Sequence, residues 1–214
     1  MHLLDPGTLR QRGVIALQPR DEARLALSPT GDRLVAAVNS VILTNPEPRS
    51  QARLRSWRTS DRSELLARDP GQSVVGLGMS RDGRLIAVAG GQGRVEVRDA
   101  TTFDVVGAPI QHTAAVRAVA FSPDGGTLAT ISTMDAVVRL WDARTGASVA
   151  RLTGLSGDPN TVAFHPTRPL LATGGADAAV VVWDLDPERV RRQLCATLAT
   201  SAGSAGEPTP AGCG

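Results

Sequence analysis

FSPDGGTLAT, residues 121–130, sets a Pro-Asp-Gly-Gly turn between an apolar residue and a short apolar run. The chain repeats the arrangement as LSPTGDRLVA at 27–36, MSRDGRLIA at 79–87 and FHPTRPLLAT at 164–173. Each turn residue has its own reason to be there. Pro presets φ, Asp bonds the local backbone, and Gly accepts positive φ. A hairpin written four times is a repeat, and its period decides the architecture.

The second residue of each turn is Ser28, Ser80, Ser122 and His165, at intervals of 52, 42 and 43. A second marker follows at Trp57, Arg98, Trp141 and Trp183, at intervals of 41, 43 and 42. Only the first repeat is irregular: Ser28 to Trp57 is 29 residues, where Ser122 to Trp141 is 19. The surplus falls in TNPEPRSQA, residues 44–52, whose two prolines predict a loop.

The third repeat reads as four short strands: AVRAVAF (115–121), TLATIS (127–132), VVRLWD (137–142) and ASVARL (147–152). Turn chemistry separates each pair. VVVW at 180–183 is apolar throughout, which predicts a strand covered on both faces.

These residues resemble the WD40 family, whose unit is one four-stranded propeller blade of about 40–45 residues. The resemblance is carried by FSPDGGTLATISTMDAVVRLWDARTG (121–146) and FHPTRPLLATGGADAAVVVWDL (164–185). It is weaker in the second repeat, where Arg98 takes the Trp place, and in the first, where Arg58 follows Trp57. It implies an all-β, WD40-like β-propeller, or a fragment of one, with about four four-stranded blades. The expected blades cover 18–68, 69–110, 111–152 and 153–185, with residues 2–17 as outer strands of a preceding or closing blade. One four-stranded sheet cannot bury both of its faces alone, whereas sheets stacked around an axis bury one another. Residues 9–17 could close a ring by pairing with 180–183; otherwise the blades form an open arc.

The resemblance also implies a hydrogen-bonded chain in the third repeat. Trp141 would donate to Thr130, Thr130 to His112, and His112 to Asp135. Thr, His and Asp are also the parts of a nucleophilic triad, but here the hydroxyl is committed to its neighbours. The fourth repeat keeps Thr173, Asp177 and Trp183, with Leu155 in the His place. The second has Pro70, Val88, Gln92 and Arg98 at the four places and cannot make the network. With the full set in one repeat only, replacing Trp141 is expected to cost more stability than replacing Trp57.

Composition narrows the function. The 214 residues are 42% hydrophobic and 21% charged with a net charge of +2, ordinary for a soluble globular chain. That charge implies neither a nucleic-acid nor a membrane partner. All 23 basic residues are Arg, as expected of a GC-rich bacterial genome. Cys195 and Cys213 do not make a disulfide framework, no signal peptide is read at the N-terminus, and no apolar run is long enough to span a bilayer. A cytoplasmic location is expected. GGQG at 90–93 lies between two strands without a phosphate-binding lysine, and His165 reads as a turn residue. No catalytic, cofactor or metal site is expected.

DPERVRRQLCATLA, residues 186–199, changes the period. Asp186 suits an N-cap, Pro187 the first helical position, and Val190, Leu194 and Leu198 recur every fourth residue, which predicts a short amphipathic helix. The segment resembles the linker that follows terminal WD40 blades in large signalling NTPases of high-GC bacteria. Residues 200–214 read as a disordered tail.

The expected function is a non-catalytic scaffold for protein–protein interaction, as the sensor part of a bacterial signalling protein. The alternative is a propeller-based enzyme or an enzyme-associated domain. The candidate interaction surface is the face carrying the blade-entry loops, with Pro46, Pro48, Arg49, Gln92, Arg94 and Met134. Self-association through open propeller ends is a further expectation.

Overall fold

The computed structural model describes residues 2–4, 11–15, 21–42, 49–186 and 188–189, and among them, apart from the helical pair 188–189, every element is a β-strand. A two-stranded hairpin comes first, β1 (His2–Leu4) with β2 (Gln11–Val14). The first four-stranded sheet is β3 (Glu22–Leu27), β4 (Arg33–Ile42), β5 (Arg49–Arg58) and β6 (Glu64–Arg68). The second is β7 (Val74–Met79), β8 (Leu85–Gly90), β9 (Arg94–Asp99) and β10 (Val105–Gln111). The third is β11 (Val116–Phe121), β12 (Thr127–Ser132), β13 (Val138–Asp142) and β14 (Ser148–Leu152). The last has three strands, β15 (Pro159–Phe164), β16 (Leu170–Gly175) and β17 (Val180–Asp184). Each sheet is an antiparallel meander in sequence order.

The repeated hairpin joins the first two strands of each sheet. Its Ser hydroxyl works in both directions. Ser28 Oγ donates to Asp32 at 2.6 Å and accepts the Arg33 N–H at 2.9 Å. Ser80 Oγ donates to Asp82 at 2.6 Å and accepts the Leu85 N–H at 2.9 Å. Ser122 does the same with Asp124 and the Thr127 N–H. In the last sheet His165 Nδ1 takes over as acceptor, from the N–H groups of Thr167 and Arg168. The turn also requires positive φ at Gly31, Gly83 and Gly125, at 71–72°.

Strand periodicity shows why the sheets stack. In β8, Ile86 and Val88 point into a core shared with Val35, Ala37 and Leu54 of the first sheet. Leu85, Ala87 and Ala89, on the opposite face, join Val116 and Leu128 of the third. Every residue of β8 is buried. A third core joins Ile131, Val138 and Leu140 to Val162 and Leu171 of the last sheet. Each fully buried Val, Leu or Ile contributes about 1.5–3 kcal/mol relative to exposure. These layers between sheets are therefore the core of the molecule. Side chains also bridge the sheets. Asn39 donates to the Val74 carbonyl at 2.6 Å and accepts the Val74 N–H at 3.0 Å. Arg33 donates to the Ala100 carbonyl at 3.0 Å.

Innermost strands touch in series, β3 to β7 to β11 to β15, and no comparable contact returns from β15 to β3. The described sheets form an open arc. Of residues 9–17 only 11–15 are described: β2 pairs with β1, and Ile15 packs on Leu34, Val38 and Trp57 of the first sheet. Among the described residues, β17 pairs with β16 alone. Its expected double cover is also absent, because no further described sheet packs there; Val180 is 74% exposed and Val182 60%.

The 44–52 segment is only partly a loop. Residues 49–52 extend β5, and pairs from Asn39↔Ala52 to Ile42↔Arg49 lengthen the hairpin with β4. Pro46 and Pro48 lie outside the described residues, as do Cys195, Cys213 and the tail. So does most of the helix expected over 186–199; Glu188 and Arg189 are helical, and Asp186 Oδ1 accepts their N–H groups at 3.0 and 3.3 Å.

Candidate functional site

Loops joining the second strand of each sheet to the third lie at one end of the arc, together with the segments entering each sheet. In the third sheet, Trp141 Nε1 donates to Thr130 Oγ1 at 2.8 Å. That hydroxyl lies 3.0 Å from His112 Nε2 and 3.5 Å from the Arg139 carbonyl. Thr130 is fully buried, so its oxygen is closed to a substrate. The His112 ring meets Trp141 edge-on, with centroids 5.6 Å apart.

The fourth link is different from the expected one. Asp135 forms an ion pair with Arg139 at 2.5 Å, and His112 Nδ1 has no hydrogen-bond partner. The register explains the exchange: Arg139 pairs across the sheet with Thr130 and lies four residues beyond Asp135. Its guanidinium reaches the carboxylate first. Burial holds the His112 pKa down at about 4, Arg139 adds to the effect, and Asp135 opposes it.

In the last sheet, Trp183 Nε1 donates to Thr173 Oγ1 at 3.1 Å. Leu155 cannot continue the chain, but the next residue partly does. Ser156 Oγ donates to Asp177 Oδ2 at 2.6 Å, tying the entry segment to the loop before β17. With the Ala179 N–H, this bond lowers the Asp177 pKa. A search for His at the matching position passes over Ser156; a search for any hydroxyl near that position finds it.

The second sheet lacks the expected network and builds another. Glu96 is 3% exposed, and its two carboxylate oxygens are held by Arg94 and Arg98. Arg98 also donates to the Phe103 carbonyl at 2.8 Å and the Pro70 carbonyl at 3.3 Å. Pro70 stands in the His place. Arg98 thus makes the same connection as the Trp–Thr–His relay, from the third strand to the entry segment, through its several fixed donors.

Of the tryptophans Trp57 and Trp141, Trp57 is the more deeply enclosed. It is 3% exposed, packs with Ile15, Leu34 and Val38, and carries the Arg55 guanidinium 4.8 Å from its ring centroid. Trp141 is only partly buried. A large-to-small change at Trp57 therefore removes more packed surface.

Of the candidate surface residues, Gln92 and Arg94 flank one loop of this end and Met134 occupies the corresponding loop of the next sheet. Met134 is 88% exposed, with φ at +62°. Arg49 opens β5 beside the residues left undescribed. Among the described residues, no group of three or more His, Cys, Asp or Glu is placed to hold a metal ion. No described helix is long and apolar enough to cross a membrane.

Residues 105–142 and 146–184 match the family model of the WD domain, G-beta repeat. WD repeat and SOCS box-containing protein 1 of Takifugu rubripes is 32% identical over 109 residues, 50% of this chain and 25% of that protein. An uncharacterized WD repeat-containing protein of Synechocystis sp. is 33% identical over 107 residues, 50% of this chain and 30% of its own length. Among solved structures, the β-propeller domain of Myceliophteria thermophila Cps50 (Swd1) superposes with a TM-score of 0.65 at 17% identity, covering 77% of this chain and 54% of that one. The WD40 repeats of RRP9 superpose equally well, with 78% of this chain and 49% of theirs covered. The chain spans no more than about a third of these curated relatives and about half of these propellers. Residues 105–184 thus carry WD40 repeats, within a fold that is a run of WD40 β-propeller blades.

Proposed function

We propose that this chain is a non-catalytic scaffold for protein–protein interaction, presenting the loop-bearing end of its blades to a partner protein as the sensor part of a cytoplasmic bacterial signalling protein. The observation that carries the reading is Met134. A large apolar side chain is almost fully exposed there, at a positive φ that L residues rarely adopt. The loop is not loose. Asp135 is held by Arg139 on one side, and the Trp141–Thr130–His112 relay fixes the strands below. A flexible, polarisable side chain on a fixed mount is suited to adaptive protein contacts. Gln92 and Arg94 extend the surface to the neighbouring blade. WD40 propellers generally serve as interaction scaffolds, which agrees with this use of the face.

Affinity capture tests the reading. Wild-type protein is compared with Met134→Asn, which tolerates the same backbone, and with Arg144→Ala at the opposite end. The reading expects a bound protein that is lost in M134N and kept in R144A. Equal capture by all three removes this face from the proposal.

A further inference from the structure

A cleft of about 440 Å³ opens at the same end, between the first and second sheets. Its walls are polar: Gln51 from β5, Asp69, Gln72 and Ser73 from the segment entering the second sheet, and Gln92. Gln72 is the anomaly. Its stem lines the cleft, yet both Oε1 and Nε2 are buried without a hydrogen-bond partner. The amide is folded onto Gly90, where an added Cβ would stand 2.0 Å from Oε1. Leaving a buried donor or acceptor unpaired costs the full desolvation of that group with no bond in return. The folded position is therefore a poor one, and the lack of a side chain at Gly90 permits it.

An amide with both atoms free matches one kind of partner: a group with an acceptor and a donor side by side. The peptide group is that partner, and this molecule already uses the pairing. Asn39 closes both bonds with the backbone of Val74, in the same junction between sheets. The segment carrying Gln72 is held in place by Arg98 on the Pro70 carbonyl and by the Gly71 N–H on Asp69. The mount is fixed, and only the side chain has to turn.

We infer that this cleft seats the backbone of an extended peptide, with the Gln72 amide turning off Gly90 to pair with one of its peptide groups. The inference rests on the scaffold reading and names what part of the partner is recognised. Gln51, Gln92 and Ser73 supply further polar contacts along the cleft. Recognition is then of main chain more than of side chain, as in strand addition at a sheet edge.

The probe is acetyl-tetraalanine amide, followed by NMR through the backbone amide resonances of Ser73 and Gln92, which every variant keeps. Three comparisons decide. Gln72→Leu keeps the bulk of the side chain and is expected to lose the saturable shift. Gly90→Ala drives the amide off its seat and is expected to tighten binding about threefold, because the competent position no longer has to be selected. An ester analogue, with one backbone N–H replaced by oxygen, is expected to bind the unaltered chain at least threefold more weakly. No saturable shift, a shift centred away from Gln72, or equal weakening by Q72L and G90A overturns the inference. The ester comparison needs no variant, so a misfolded G90A does not remove the test. Failure here with capture through Met134 intact rejects only the peptide seat; failure of both rejects the scaffold reading.

Discussion

His112 is the residue where the fold depends on a protonation state. Its Nε2 lies 3.0 Å from the Thr130 hydroxyl, and burial favours the neutral ring. Its folded pKa of about 4 lies below the ordinary 6.5. The unfolded chain therefore takes up a proton first as pH falls. The stability associated with neutral His112 is complete above about 6.5 and is lost between there and about 4. The melting temperature is expected to fall through that window, and His112→Gln should flatten it. The turn aspartates Asp82 and Asp124, lowered mainly by Ser80 and Ser122, act in a separate window below about 4. A slope unchanged in H112Q would show that the relay is not the cause.

Glu96 and Arg98 give a second test at the same scale. Removing one member of a buried pair leaves an uncompensated charge, at a cost of about 3–5 kcal/mol. Arg98→Ala is expected near the lower bound, since Arg94 still holds one carboxylate oxygen. The double change Glu96→Leu with Arg98→Met should cost less than Arg98→Ala alone. Denaturant midpoints at constant m-value measure the difference. Sequence spacing located Arg98 in the Trp place. Its substitute bonds were not legible, because an Arg reaches carbonyls and carboxylates set by the fold rather than by a motif.

Elements were legible where turn chemistry and strand period agreed. Ser-x-Asp-Gly at 80–83 and 122–125, with looser versions at 28–32 and 165–169, marked each first hairpin, and the spacing of Trp57, Arg98, Trp141 and Trp183 marked each third strand. Two readings failed for physical reasons. Prolines near 46–48 were read as ending the strands early, but strand pairing continues from either side to Ile42 and Arg49. The all-apolar VVVW was read as doubly covered, yet cover depends on a neighbouring sheet that a local sequence does not specify. Val180 and Val182 consequently leave an apolar face open beside an edge of β17 that no other described strand pairs. Replacing both with Lys is expected to leave stability within about 0.5 kcal/mol per site. In light scattering the unaltered chain is expected to self-associate with rising concentration, and the double variant to stay monomeric. Association equal to that of the wild type would place the contact elsewhere.

Across the whole molecule, stability is shared between neighbours because the second and third sheets each contribute to two cores. Such a stack behaves as a one-dimensional array. The strand most deeply enclosed, β8, is flanked on both sides, whereas β17 is flanked on one. Deuterium uptake should therefore advance like a tide, reaching β17 first and the amides of β8 last. Because opening begins at a margin, anything that grips the outermost blade would slow exchange far inland, and a distant binding event would register as quiet in the interior.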